Sequence, residues 1–167
     1  MNKRLFNILL LTAITSGILG GFMMIIHKNR EKELQKAYLA LLPSFSNLKK
    51  LDSFKLNTPS VFIAFHPECE HCQYEAKSLN ERHNDLKKAQ IIMFTSAKDS
   101  LVQVFAHSFG LDTIDNIKVI SDEKNEMRTA FGVKGIPTIF IYDAKGKLVK
   151  QYNGETKVDA IIKALQN

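Results

Sequence analysis

The chain has no tryptophan, and its 167 residues include only two cysteines, eight glycines and four prolines. No segment repeats and no low-complexity tract interrupts it. One cysteine pair, Cys69 and Cys72, cannot supply the four ligands that a zinc site normally takes. A disulfide between such near neighbours closes almost no loop, so as a staple it would stabilise little. A c-type haem attachment needs histidine directly after the second cysteine, and this chain has Gln73 there. Acidic residues are missing from positions 1–30, which hold Lys3, Arg4, Lys28 and Arg30, four of the 23 basic residues. The remaining chain is nearly balanced, 19 basic against 17 acidic groups, so the net charge of +6 describes one segment and marks no nucleic-acid-binding face.

That segment has a further absence. Residues 5–26 carry no charge, and as a helix they would span roughly 33 Å at ~1.5 Å per residue, enough for the hydrocarbon core of a bilayer. A cleaved signal peptide would have a shorter apolar stretch and then a small-residue cleavage site, but here Phe22 to Ile26 continue the apolar run up to His27. No cysteine follows, which excludes a lipid-modified anchor. The segment therefore reads as an uncleaved transmembrane anchor. Gly17 and Gly21 form a G-x-x-x-G spacing within it, a weak signal for helix pairing. Lys28, Arg30, Lys32 and Lys36 follow the span, and by the positive-inside rule they mildly favour a cytoplasmic domain.

Glu31 to Leu42 has a short amphipathic helical pattern, which Pro43 ends. Beyond it strands and helices alternate. Strands are expected at Ser60–Phe65, Ile91–Thr95, Ile117–Ile120, Thr138–Tyr142 and Leu148–Tyr152. Helices are expected at Cys72–Ala89, Asp99–Phe109, Glu123–Phe131 and Thr156–Leu165. Ser96 with Asp99 forms a capping-box-like start, Gly110 and Gly132 are stop signals, and Asp143 to Gly146 mark a hairpin. The pattern predicts an α/β sheet with helices on both faces. The chain divides into a basic flank at 1–4, the anchor at 5–26, a juxtamembrane helix and linker at 27–43, and a globular domain at 44–167.

Cys69 falls just past a buried strand, where a helix begins. Amides at a helix N-terminus favour an anion, so a thiol placed there ionises more readily. Cys72 lies one turn further on, close enough for a small reversible disulfide. A redox couple is the favoured reading of the pair.

Three stretches in this order resemble the thioredoxin superfamily, and within it the membrane-anchored TlpA/ResA-like thiol–disulfide oxidoreductases. They are VFIAFHPECEHC, the carboxylate of CEHCQYE, and FGVKGIPTIFIYDAKGKLV. The resemblance covers roughly residues 43–166. It implies a thioredoxin-like fold, a central mixed sheet flanked by helices, preceded here by the transmembrane helix. It also implies a cis peptide bond at Ile136–Pro137, across from Cys69, whose backbone holds substrate. There are departures. The aspartate that thioredoxin buries before its first cysteine is Ile63 here, and its tryptophan is Glu68. Peroxiredoxin chemistry is disfavoured, since His66 replaces the threonine that precedes a peroxidatic cysteine.

The missing aspartate leaves the second thiol without a proton acceptor, and helical spacing offers a substitute. Cys72, Glu75, Ala76, Leu79, His83 and Leu86 share one face of a helix. That face turns to the sheet, which would bury Glu75 beneath the thiols, raise its pKa and fit it as a general base. His83 on the same stripe reads as a packed or rim histidine. Between the cysteines, protonated His71 would favour a Cys69 thiolate, whereas Glu70 and Glu68 would oppose it.

The resulting expectation is an enzyme, a membrane-anchored thiol–disulfide oxidoreductase acting on thiol- or disulfide-containing proteins. Cys69 and Cys72 are its redox-active pair, Glu75 moves the proton, Ile136 and Pro137 bind substrate, and Glu70 and His71 tune the thiols. No metal or organic cofactor is needed. A membrane redox partner is expected, nucleic acid is not, and the resemblance places the domain outside the cytoplasm, against the charge rule. The alternative is a metal-binding module or metallochaperone using Cys69 and Cys72 with His66 or His71; a redox-inactive interaction domain is a third reading.

Overall fold

The computed structural model describes residues 16–30 and 57–166. Residues 16–30 form one helix, α1, with its side chains exposed, Ile18, Phe22 and Met24 among them. Among the described residues no helix is long and apolar enough to cross a membrane. Of the expected anchor at 5–26, positions 5–15 lie outside the described residues, as do the helix expected at 31–42 and the linker up to the domain boundary at 43/44.

The second part is a five-stranded mixed sheet: β1 (Ser60–Ala64), β2 (Gln90–Thr95), β3 (Ile117–Ser121), β4 (Thr138–Tyr142) and β5 (Leu148–Asn153), in the order β3-β2-β1-β4-β5. β1, β2 and β3 run parallel, and β4 and β5 are antiparallel to their neighbours. Parallel strands need long crossovers, and α2 (Glu70–Glu81) and α3 (Asp99–Ser108) supply them; α4 (Glu126–Ala130) and α5 (Val158–Leu165) follow. Both sheet faces are covered, which is why β1, β2 and β4 read as continuous apolar runs.

Side-chain alternation sorts the core by type. Val61, Ile63, Ile91, Met93, Ile139 and Ile141 share one cluster with Cys72, Ala76 and Leu79 of α2 and Val158, Ile161 and Ala164 of α5. The residues between them are Phe62, Phe94, Phe140 and Tyr142, and Phe131 lies against all four at ring separations of 4.9 to 6.4 Å. Five phenyl and phenol rings thus fill, in a chain without tryptophan, the face that α4 leads into.

Several helix limits differ from the sequence reading. α2 starts two residues early, with Cys69 as its N-cap, and ends at Glu81 rather than Ala89. The chain turns at Arg82, His83 Nδ1 takes the Asn80 carbonyl, and a 3₁₀ turn runs over His83–Leu86. α3 is capped at Lys98, without a side-chain bond, so the Ser96 capping box does not form. α4 begins at Glu126 rather than Glu123, because buried Asp122 accepts the amides of Glu126 and Arg128 and Asn125 is left-handed at φ 56°. α5 likewise starts at Val158, not Thr156.

Candidate active site

Phe65 continues the line of β1 through its amide to the Phe94 carbonyl, and the chain then turns, with Cys69 N–H donating to the His66 carbonyl. Cys69 closes the first turn of α2, its carbonyl accepting the amides of Cys72 and Gln73. The Gln73 amide group reaches back to the Pro67 carbonyl at 2.7 Å and ties the loop to the helix. Both cysteines are free thiols; Cys69 is partly exposed and Cys72 fully buried. Burial, above all, pushes the Cys72 thiol well up, and its hydrogen bond with Cys69 adds to this. Two thiols of unequal exposure in one hydrogen bond are suited to unequal tasks.

Glu75 lies one turn below, on the buried face that the spacing predicts, with 1% exposure. Neither carboxylate oxygen accepts a hydrogen bond of good geometry. Its pKa is pushed up to about 8, first by burial and second by the negative charge of Glu155; the nearby Thr156 amide offsets part of this. His83, the outer member of the stripe, is a half-buried rim histidine on a backbone carbonyl.

The other wall is made by the segment before β4. The Ile136–Pro137 bond is cis, Ile136 is half-buried and Pro137 is buried. Antiparallel register pairs Ala64 with Thr138, so this segment and the turn carrying Cys69 meet at the same edge of the sheet. Ile136 and Cys69 pack against the same core cluster. The Thr138 hydroxyl donates to the Gly135 carbonyl at 2.7 Å, and the Gly154 amide donates to the Pro137 carbonyl at 2.8 Å.

Of the residues expected to tune the thiols, Glu70 is exposed in the first turn of α2. His71 is exposed too, but its Nδ1 lies 2.6 Å from the Glu155 carboxylate. Sequence reasoning missed Glu155: it is far from the cysteines in the chain, and only the return of the β4–β5 hairpin brings it beside them. Among the described residues no three His, Cys, Asp or Glu side chains converge as a metal site. His66, the other histidine of the metal-binding alternative, has its Nδ1 turned to the Glu68 amide. A cavity of about 780 Å³, lined by Thr58, Gln90 and Lys118 among others, sits by the starts of β1, β2 and β3, at the far end from the thiols.

A mixed sheet with a C-x-x-C turn at the end of β1 and a cis-proline segment beside it defines a thioredoxin-like protein, of the class of the thiol–disulfide oxidoreductases. A model of the AhpC/TSA family matches residues 34–151, and the chain belongs to that family. It is similar to the thiol-disulfide oxidoreductase ResA of Bacillus thuringiensis and of Bacillus anthracis, 26% identical over 161 residues in both cases, covering 92% of this chain and 90% of the relative. Among solved structures, DsbF of Mycobacterium tuberculosis superposes with a TM-score of 0.59 at 19% identity, over 66% of this chain and 81% of DsbF. StoA of Bacillus subtilis does so with 0.56 at 15% identity, over 66% and 84%. At such identities these two structures speak for the fold alone.

Proposed function

We propose that the protein is a membrane-anchored thiol–disulfide oxidoreductase whose redox couple is Cys69 and Cys72 and whose substrates are proteins. The observation that carries this reading is the stacking of a partly exposed thiol, a buried thiol and a buried, unbonded carboxyl along one face of α2. In the reducing direction the Cys69 thiolate attacks one sulfur of a substrate disulfide, and the other substrate sulfur leaves as a thiolate that takes a proton from water. Cys72 then gives its proton to the Glu75 carboxylate and attacks the Cys69 sulfur. The Cys69–Cys72 disulfide forms, and the second substrate thiol departs with a proton. Two electrons reach the substrate, and the same atoms serve the reverse reaction. A carboxyl titrating near 8 is matched to moving a proton at neutral pH. Ile136 and Pro137 present backbone to an extended substrate segment. The uncharged stretch at 5–26 supports the anchor, and the domain works outside the cytoplasm with a membrane-bound redox partner.

Substrate trapping tests the assignment. Cys72→Ser should accumulate mixed disulfides through Cys69, because nothing remains to resolve them, whereas Cys69→Ser should trap few. Equal trapping by the two variants would remove the division of roles.

A further inference from the structure

Three consecutive residues after β5 touch three separate parts of the site. Gly154, at φ +100°, turns the chain so that its amide meets the Pro137 carbonyl. Glu155 reaches His71 between the two cysteines at 2.6 Å. The Thr156 amide approaches Glu75. We propose that Glu155 is a positioning residue, one that fixes the place and tautomer of His71 and sets a second negative charge against the buried Glu75 carboxyl.

The contact contributes little as an ion pair. The His71 and Glu155 side chains are 71% and 39% exposed, and exposed pairs add little stability. Its weight lies in hydrogen-bond chemistry. A carboxylate only accepts, so the imidazole nitrogen facing it carries the hydrogen. Neutral His71 is therefore held as the Nδ1–H tautomer, which leaves Nε2 as its acceptor nitrogen. The charge acts elsewhere. The groups that act on Glu75 are Cys72 on its own helix and Glu155 with the Thr156 amide on the loop, while Asp159 of α5 is taken up by Arg82. Glu155 is thus the anion that holds Glu75 protonated, second only to burial itself. One side chain links the residue between the cysteines to the carboxyl beneath them.

This inference rests on the exchange function proposed above, and its main readouts do not depend on that function. The full-length reduced protein in detergent micelles, labelled with ¹⁵N-histidine and ¹³C-glutamate, reports both effects by NMR. Glu155→Gln removes the charge but keeps an acceptor. It should move the Glu75 midpoint below the wild-type value of about 8 and leave the His71 tautomer as it is. Glu155→Ala removes both, and His71 should shift to the Nε2–H form. In thiol exchange, Glu155→Gln should move the acid limb of the rate profile to lower pH, raising severalfold the rate at about pH 7 relative to about pH 9. A Glu75 midpoint unchanged in Glu155→Gln, or a His71 tautomer unchanged in Glu155→Ala, overturns the proposal. A wild-type protein that exchanges no thiols would instead sink the exchange function and leave the NMR result standing.

Discussion

Glu75 is the residue at which stability and chemistry oppose each other. A buried carboxyl without partners is costly when ionised, so the fold holds it protonated up to about pH 8 against an ordinary value of 4.5. Between those values the unfolded chain has lost the proton and the folded chain has kept it. Folding stability therefore falls as pH rises through this window, and the contribution is fully present only below it. Glu75→Gln removes the titration. In urea unfolding of the reduced protein, wild type should lose stability relative to Glu75→Gln by up to about 1.4 kcal/mol per pH unit across that range. The same variant should slow thiol exchange, most visibly near and above pH 8, where wild-type Glu75 is ionised and can take the Cys72 proton, and a wild-type pH–rate profile in the variant would reduce Glu75 to a structural group. The position of this carboxyl was legible from helical spacing alone, because burial of the α2 stripe depends only on which face meets the sheet. Its second regulator was not: Glu155 reaches it through tertiary folding, which no local spacing encodes.

At the scale of elements, boundaries are set by small contacts. Gly110 ends α3 in the left-handed region at φ 64°, and a Cβ there would lie 2.8 Å from the Asn80 side-chain nitrogen. That nitrogen donates to the Phe109 carbonyl and joins α2 to the end of α3. Gly110→Ala should thus lower stability by about 1–2 kcal/mol from backbone conformation alone, with more from the displaced amide. A drop in urea midpoint with trapping through Cys69 retained is the expected result; an unchanged midpoint would mean the turn relaxes freely. Strands were readable almost to the residue, β4 fully so, because a sheet covered on both faces needs unbroken apolar runs. Helix starts were less readable. At Arg82, where α2 stops, Asp85 and Asp159 bind the guanidinium, and the late start of α4 comes from Asp122. Partners such as Asp159 lie far off in the chain, and a periodic pattern running past Glu81 gives no sign of them.

For the whole molecule, the proposed topology makes a direct prediction. A membrane-impermeant thiol reagent applied to intact spheroplasts should label reduced Cys69, because long domains translocate against a modest charge bias; labelling only after lysis would place the domain in the cytoplasm. The sheet order has a different kind of consequence, for the chain as it is made. β2 and β3 can join β1 as they emerge, and β4 with β5 is a local hairpin, but the site is whole only when Ala64 pairs with Thr138. Contacts between such distant segments form late, since closing a long loop costs entropy before any contact rewards it. Until then Cys69 and Cys72 are an ordinary peptide dithiol, with neither the 136–137 segment nor Glu155 beside them. Under the proposed exchange function, selectivity for a partner is acquired at the last strand pairing, and a nascent chain is itself a substrate for thiol oxidants in its surroundings.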